Sequence, residues 1–180
     1  LKNRKIVIPF NKPFIAGNEI EYIKEAVISG KISGDGDYSK KCQSYFEEKY
    51  GFKRTLLTTS CTDALEMASL LCNIEPGDEV ILPSYTFVST ANAFALRGAK
   101  LVFADSMDTI PNIDPDQIQK LITPATKAIV TVHYGGMACM MDEITAIAKS
   151  RNLYVIEDAA QAIDSFYKGK PLGSIGHLAA

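Results

Sequence analysis

The sequence predicts an α/β domain, a mostly parallel sheet flanked by helices, and three observations predict it. Short apolar runs recur at 55–59, 79–82, 100–104, 128–132 and 153–156. Helical patterns lie between them at 62–72, 89–97, 115–121 and 142–150, the alternation of a parallel sheet with crossover helices. The runs are apolar throughout rather than alternating, as expected of strands covered on both faces.

Ahead of this pattern the chain is organised differently. An extended opening carries Pro9 and Pro13. The stretch 17–29 predicts an amphipathic helix with Ile20, Ile23, Val27 and Ile28 on one side. A Gly-rich link, Ser33-Gly34-Asp35-Gly36-Asp37, leads to a second helix over 38–50 that ends at Gly51. Residues 1–50 thus form an N-terminal extended segment with helices, and 51–180 the α/β domain. No internal repeat or low-complexity segment interrupts either part.

A chain of 180 residues suits one globular domain, and 47% apolar with 22% charged residues is a soluble, globular profile. The formal net charge of -2 gives no electrostatic reason to expect nucleic acid or an anionic membrane as partner. No apolar run approaches the roughly 18 residues that cross a bilayer. The basic start turns to Pro and Asn rather than to an apolar signal core, so secretion is not expected. Cys42, Cys61, Cys72 and Cys139 form no C-x-x-C pair and read as reduced thiols of a cytoplasmic protein. With two histidines, neither beside a cysteine pair, no metal site is expected.

In open parallel sheets ligands bind beyond the carboxyl ends of the strands, so the residues that follow each run matter most. After the first run comes Thr58-Thr59-Ser60-Cys61-Thr62-Asp63, where a helix begins. Free N–H groups and the positive dipole end make such a place a phosphate site; plain N-capping by Ser60 is the competing reading. Asp63 suits an anion there only if its side chain turns away. After the second run, Pro83-Ser84-Tyr85-Thr86-Phe87 offers an aromatic ring for stacking on a planar ligand, or for ordinary packing. His133 closes the fourth run, for proton transfer, ligand contact or a structural hydrogen bond. After the fifth run, Glu157-Asp158-Ala159-Ala160-Gln161 could hold a protonated ring nitrogen; binding a metal or a ribose, or capping a helix, are alternatives. Gly34-Asp35-Gly36 precedes the sheet instead of following its first strand, which excludes a dinucleotide loop. A phosphate cradle, an aromatic platform and a carboxylate for a ring nitrogen are together satisfied by pyridoxal phosphate.

Six segments carry a resemblance: Phe10-Asn11-Lys12-Pro13, Ser29-Gly30-Lys31-Ile32-Ser33-Gly34, Pro76-Gly77-Asp78-Glu79-Val80-Ile81, 83–93, Val132-His133-Tyr134 and 156–162. In order and at natural spacing, they resemble the DegT/DnrJ/EryC1/StrS sugar aminotransferases, over practically the whole chain. The resemblance implies the large domain of a fold-type-I pyridoxal-phosphate transferase. It implies that Cys61 and Thr62, with Ser60 beside them, bind the phosphate; that Phe87 stacks on the pyridine ring; and that Asp158 pairs with the ring nitrogen. Gln161 would contact the ring face or its hydroxyl edge, and His133 and Tyr134 the substrate. The implied reaction passes an amino group from glutamate to a 4-keto sugar on a nucleotide, in a homodimer. A related 3-dehydratase, with histidine in the lysine's place, and a noncatalytic scaffold are the alternatives.

The family's cofactor-bearing lysine follows a further strand, beyond a Gly-x-x-Gly turn that is Gly173-Ser174-Ile175-Gly176 here. Lys168 and Lys170 lie in a Gly/Pro turn and do not fit that role. The lysine is therefore expected beyond Ala180, the natural product is expected to be longer, and these residues are expected to be inactive alone. The resemblance also places two later strands between the fifth run and the first, so the domain is expected to be truncated before its last strands, and the first run to lack neighbours.

Overall fold

A computed structural model describes residues 12–180. The expectations that rest on Pro9, Phe10 and Asn11 lie outside the described residues. In chain order the elements are α1 (Glu19–Ile28), α2 (Asp37–Tyr50), α3 (Cys61–Leu71), β1 (Glu79–Pro83), α4 (Val88–Ala95), β2 (Lys100–Ala104) and α5 (Pro115–Leu121). They continue with β3 (Thr126–Val132), α6 (Met141–Arg151), β4 (Tyr154–Asp158), β5 (Phe166–Tyr167), β6 (Lys170–Pro171) and β7 (Leu178–Ala179). Strands β2-β1-β3-β4-β7 form one sheet in that order, every neighbouring pair parallel, while β5 and β6 make a small antiparallel hairpin.

Successive strand residues serve opposite helix layers. Val80, Leu82, Val130 and Ile156 pack with Leu65, Ala68 and Phe94 of α3 and α4. Ile81, Ile129 and Val155 pack on the other face with Ile118, Met141 and Ile144 of α5 and α6. Both faces of the central strands β1, β3 and β4 are therefore dry, which is why their runs are apolar at nearly every position, while β2 at the edge leaves Phe103 exposed. Helix ends follow local chemistry. Gly51 closes α2 with a left-handed φ of 69°, and the Asp114 side chain caps α5, accepting from the Asp116 N–H, just before Pro115 at the first helical position.

Three features differ from the sequence reading. The run 55–59 forms no strand: no ladder partner lies beside it among the described residues, the Thr55 N–H donates to the Glu47 carboxylate at 2.8 Å, and Leu56 and Leu57 stay exposed. β4 runs two residues further than expected and includes both acids, Glu157 and Asp158. β7, too short to show an apolar run, extends the sheet beside β4. Helix α1 forms as its periodicity predicts, but its apolar side, Ile20, Ile23, Val27 and Ile28, is exposed and none of its residues is buried.

Candidate active site

Because the strands are parallel, their carboxyl ends share one edge, and a cleft opens there. The start of α3 forms one wall. Ser60 caps this helix: its Oγ accepts from the Asp63 N–H at 3.1 Å and its carbonyl from the Ala64 N–H at 3.2 Å. The Asp63 carboxylate turns back to accept from the Thr59 hydroxyl. The N–H groups of Cys61 and Thr62 donate to no group among the described residues. Capping and anion binding are thus compatible here, since the cap uses the third and fourth donors and leaves the first two.

Asp158 ends β4 with its side chain on the α3–α4 side and is 6% exposed. Its Oδ2 accepts from the Thr90 hydroxyl at 2.7 Å. Its Oδ1 receives the Ala160 N–H at 3.2 Å and lies 3.8 Å from the Cys61 sulfur. All three donors are neutral. No cation pairs with this buried carboxylate among the described residues, so a ligand that brings an N–H⁺ supplies what the protein does not. Burial, with Asp158 alongside, pushes the Cys61 thiol up to about 11, so it stays a thiol. No helix starts after Asp158; the chain makes a turn instead, which removes the capping alternative.

Phe87, the residue before α4, leaves its ring 69% exposed at the cleft, held by no core contact and open to stack on a flat ligand. Gln161 Oε1 accepts from the Gly135 N–H at 2.7 Å, tying the turn after β4 to the exit of β3. That exit needs glycine: Gly136 has φ 78°, and a Cβ there would sit 2.8 Å from Ser165 Oγ. Tyr134 stands beside Tyr85 with ring centroids 4.7 Å apart.

His133 lines the same cleft but spends both nitrogens on the protein. Nδ1 accepts from the Cys139 N–H at 3.2 Å, so Nε2 carries the ring proton and donates to Glu157 Oε2 at 2.8 Å. The alternation of β4 turns Glu157 to the face opposite Asp158, where its carboxylate accepts from the N–H groups of Gly173 (2.8 Å), Ile175 (2.7 Å) and Gly176 (2.5 Å). Burial raises the Glu157 pKa, but the His133 and backbone hydrogen bonds outweigh it and hold the acid below its ordinary range.

The structure thus brings Cys61, Thr62, Phe87, His133, Tyr134, Asp158 and Gln161 to one cleft, with Ser60 as the cap beside it. Sequence reasoning missed Thr90, whose partner lies 68 positions away, and the clasp made by Glu157. Among the described residues no lysine lines the cleft; Lys168 sits on an exposed turn, paired with Asp142 at 2.5 Å. Among the described residues no group of three or more His, Cys, Asp or Glu could hold a metal, and no helix is long and apolar enough to cross a membrane. The free donors of α3, the exposed ring and the unpaired buried carboxylate fit a cofactor with a phosphate, a flat ring and a protonatable ring nitrogen, as pyridoxal phosphate has.

Known proteins agree. The chain is 41% identical over its whole length to spore coat polysaccharide biosynthesis protein SpsC of Bacillus subtilis, of which it covers 46%. It is 40% identical over 171 residues to GDP-perosamine synthase of Escherichia coli O157:H7, covering 95% of this chain and 47% of that protein. It therefore spans about half the length of the curated relatives it matches. Among solved structures, the aminotransferase from Psychrobacter cryohalolentis superposes with a TM-score of 0.89 at 36% identity, over 95% of this chain and 44% of that one. A structure described as a sugar aminotransferase, Spr1654 of Streptococcus pneumoniae in its PLP form, gives 0.90 at 29% identity, over 96% and 47%. Residues 13–180 match the profile of one family, and the chain belongs to it: the DegT/DnrJ/EryC1/StrS aminotransferases, which use pyridoxal phosphate.

Proposed function

We propose that this chain is the cofactor-binding part of a transaminase that moves an amino group from glutamate to the C4 ketone of a nucleotide-linked 4-keto-6-deoxy sugar, in cell-surface polysaccharide synthesis. The observation that carries the cofactor role is Asp158, a buried carboxylate with only neutral donors beside two unused helix N–H groups. The similarity to a perosamine synthase and a spore coat polysaccharide protein supports the sugar class.

In this reading Cys61 and Thr62 hold the phosphate through their N–H groups, Phe87 covers one face of the ring, and Asp158 keeps the proton on the ring nitrogen. Bound there, the cofactor supplies an electron sink and carries the amino group between donor and acceptor. Gln161 orders the turn along the ring's hydroxyl edge, and His133 and Tyr134 border the space for substrate. His133 Nε2–H is committed to Glu157 and its side chain is fully buried, so His133 supports the floor of that space rather than giving a proton to a substrate. The cofactor-bearing lysine belongs to residues beyond Ala180 in this reading, which the absence of lysine from the cleft lining among the described residues supports. A homodimer is part of the same proposal, supported by the exposed apolar side of α1.

The test is to assay the complete gene product with glutamate against GDP- and dTDP-linked 4-keto-6-deoxy sugars, following 2-oxoglutarate and the amino sugar. A dTDP-linked acceptor giving 4-amino-4,6-dideoxygalactose is the first to try. Loss of the C3 hydroxyl without amination would replace this reading with the dehydratase; no turnover of any acceptor would remove it.

A further inference from the structure

The segment 86–90 does more than display the Phe87 ring. Thr90, on the first turn of α4, is fully buried, with its hydroxyl 2.7 Å from Asp158 Oδ2 and 2.8 Å from Thr86 Oγ1. An ionised carboxylate only accepts, and a hydroxyl has one proton to give. The Thr90 proton therefore goes to Asp158, and Thr86 must give its own to Thr90. The chain of hydroxyls has one direction, Thr86 to Thr90 to Asp158, and each bond polarises the next. Oδ2 is thereby engaged by a short, directed bond. Oδ1 meets only an N–H at 3.2 Å and a thiol at 3.8 Å, and is the oxygen left to receive a ligand.

We propose that Thr90 is the positioning residue for Asp158: its hydroxyl fixes the carboxylate so that Oδ1 meets the ring nitrogen of the cofactor. This rests on the reading of Asp158 given above. Thr90 touches no ligand itself and acts through the acid. The β-branched side chain suits the task, because its methyl narrows the choice of χ1 and the bonds to Thr86 and Asp158 fix the hydroxyl's direction. Phe87 and Thr90 sit three residues apart, so one short segment supplies both the ring platform and the brace for the acid that faces it.

The experiment compares two probes on the complete gene product: pyridoxamine 5'-phosphate, and its analogue with a C–H in place of the ring nitrogen. Thr90→Val keeps the shape and removes the hydroxyl. It is expected to weaken pyridoxamine phosphate about tenfold, the loss expected for one hydrogen bond to a charged group. Binding of the ring-carbon analogue should change less than about twofold, since that probe gives Asp158 nothing to bond. Thr90→Ser keeps the hydroxyl and should restore most of the discrimination.

Equal weakening of both probes by Thr90→Val would assign Thr90 a merely structural role and overturn the proposal. So would an unchanged preference for the ring nitrogen. Wild-type protein that binds both probes equally would fail the Asp158 reading itself, a result distinct from either.

Discussion

The His133 imidazole donates its only ring proton to Glu157 at 2.8 Å, and this bond joins the ends of β3 and β4 beneath the cleft. The same carboxylate gathers three backbone N–H groups from the turn that leads into β7. Four donors converge on one fully buried anion, so the acid is fully satisfied and nothing replaces it if it is lost.

Glu157→Gln is expected to destabilise the fold by about 3 kcal/mol, the usual cost of breaking a buried charged network. The new amide would point donors at a site already crowded with donors. His133 cannot adapt, because a proton moved to Nδ1 would face the Cys139 N–H. Urea denaturation followed by circular dichroism measures the loss; a change within about 0.5 kcal/mol, ordinary for a surface site, would contradict the clasp.

Acid should release the same clasp. The Glu157 pKa is lower in the folded chain than the ordinary 4.5, so the unfolded chain binds the proton more readily. Its contribution is present above about pH 4.5 and is lost as pH falls through the lowered folded value. Stability measured from pH 6 downward should therefore fall faster in the wild type than in Glu157→Gln. Parallel curves would exclude the linkage.

Phe87→Ala separates folding from binding. The ring is mostly solvated, so stability should change by less than about 0.5 kcal/mol. Cofactor affinity should drop by about tenfold, the upper range for a stacked aromatic pair. Thermal melting and fluorescence titration read the two effects, and a large melting shift would mean that Phe87 packs rather than stacks.

The four cysteines should differ in alkylation. Burial pushes Cys72 to about 11 and Cys139 to about 12, and Cys61 is raised by burial and by Asp158, whereas Cys42 lies open on α2. Iodoacetamide at pH 8 with peptide mapping should mark Cys42 first by a wide margin. Rapid labelling of Cys61 would mean its thiol is not held against Asp158.

Incubating these 180 residues with pyridoxal phosphate and reducing with borohydride should label no lysine stoichiometrically, since none borders the cleft among the described residues. A single lysine modified to completion would place the covalent site within this chain.

The helices and the first four strands of the sheet were legible because each strand serves two core layers and each helix carries a periodic face. Cys61, Thr62 and Phe87 could be placed at one edge because Ser60 directly follows the run 55–59 and Phe87 stands five places after the run 79–82, and all three line one cleft. Residues 55–59 misled because an apolar run signals burial, while a strand also needs a partner ladder, which no local pattern states. Thr90 was hidden as one hydroxyl among Thr86, Ser89 and Thr90, distinguished only by a contact across the sheet edge. His133 stood open between proton transfer, ligand contact and a structural hydrogen bond; what decides its chemistry is Cys139 and Glu157, six and 24 positions away.

Glu157 and Asp158 are neighbours in the chain, yet the pleat of β4 sends one to the turn and the other to the cleft. A slip of β4 by one place against β3, from Thr131 opposite Glu157 to Thr131 opposite Ile156, would put Glu157 where Asp158 stands and Ile156 where Glu157 stands. The longer acid would then enter the cleft, and the glycine turn would face an apolar side chain in place of its acid. A single insertion or deletion inside β4 therefore disables both faces at once.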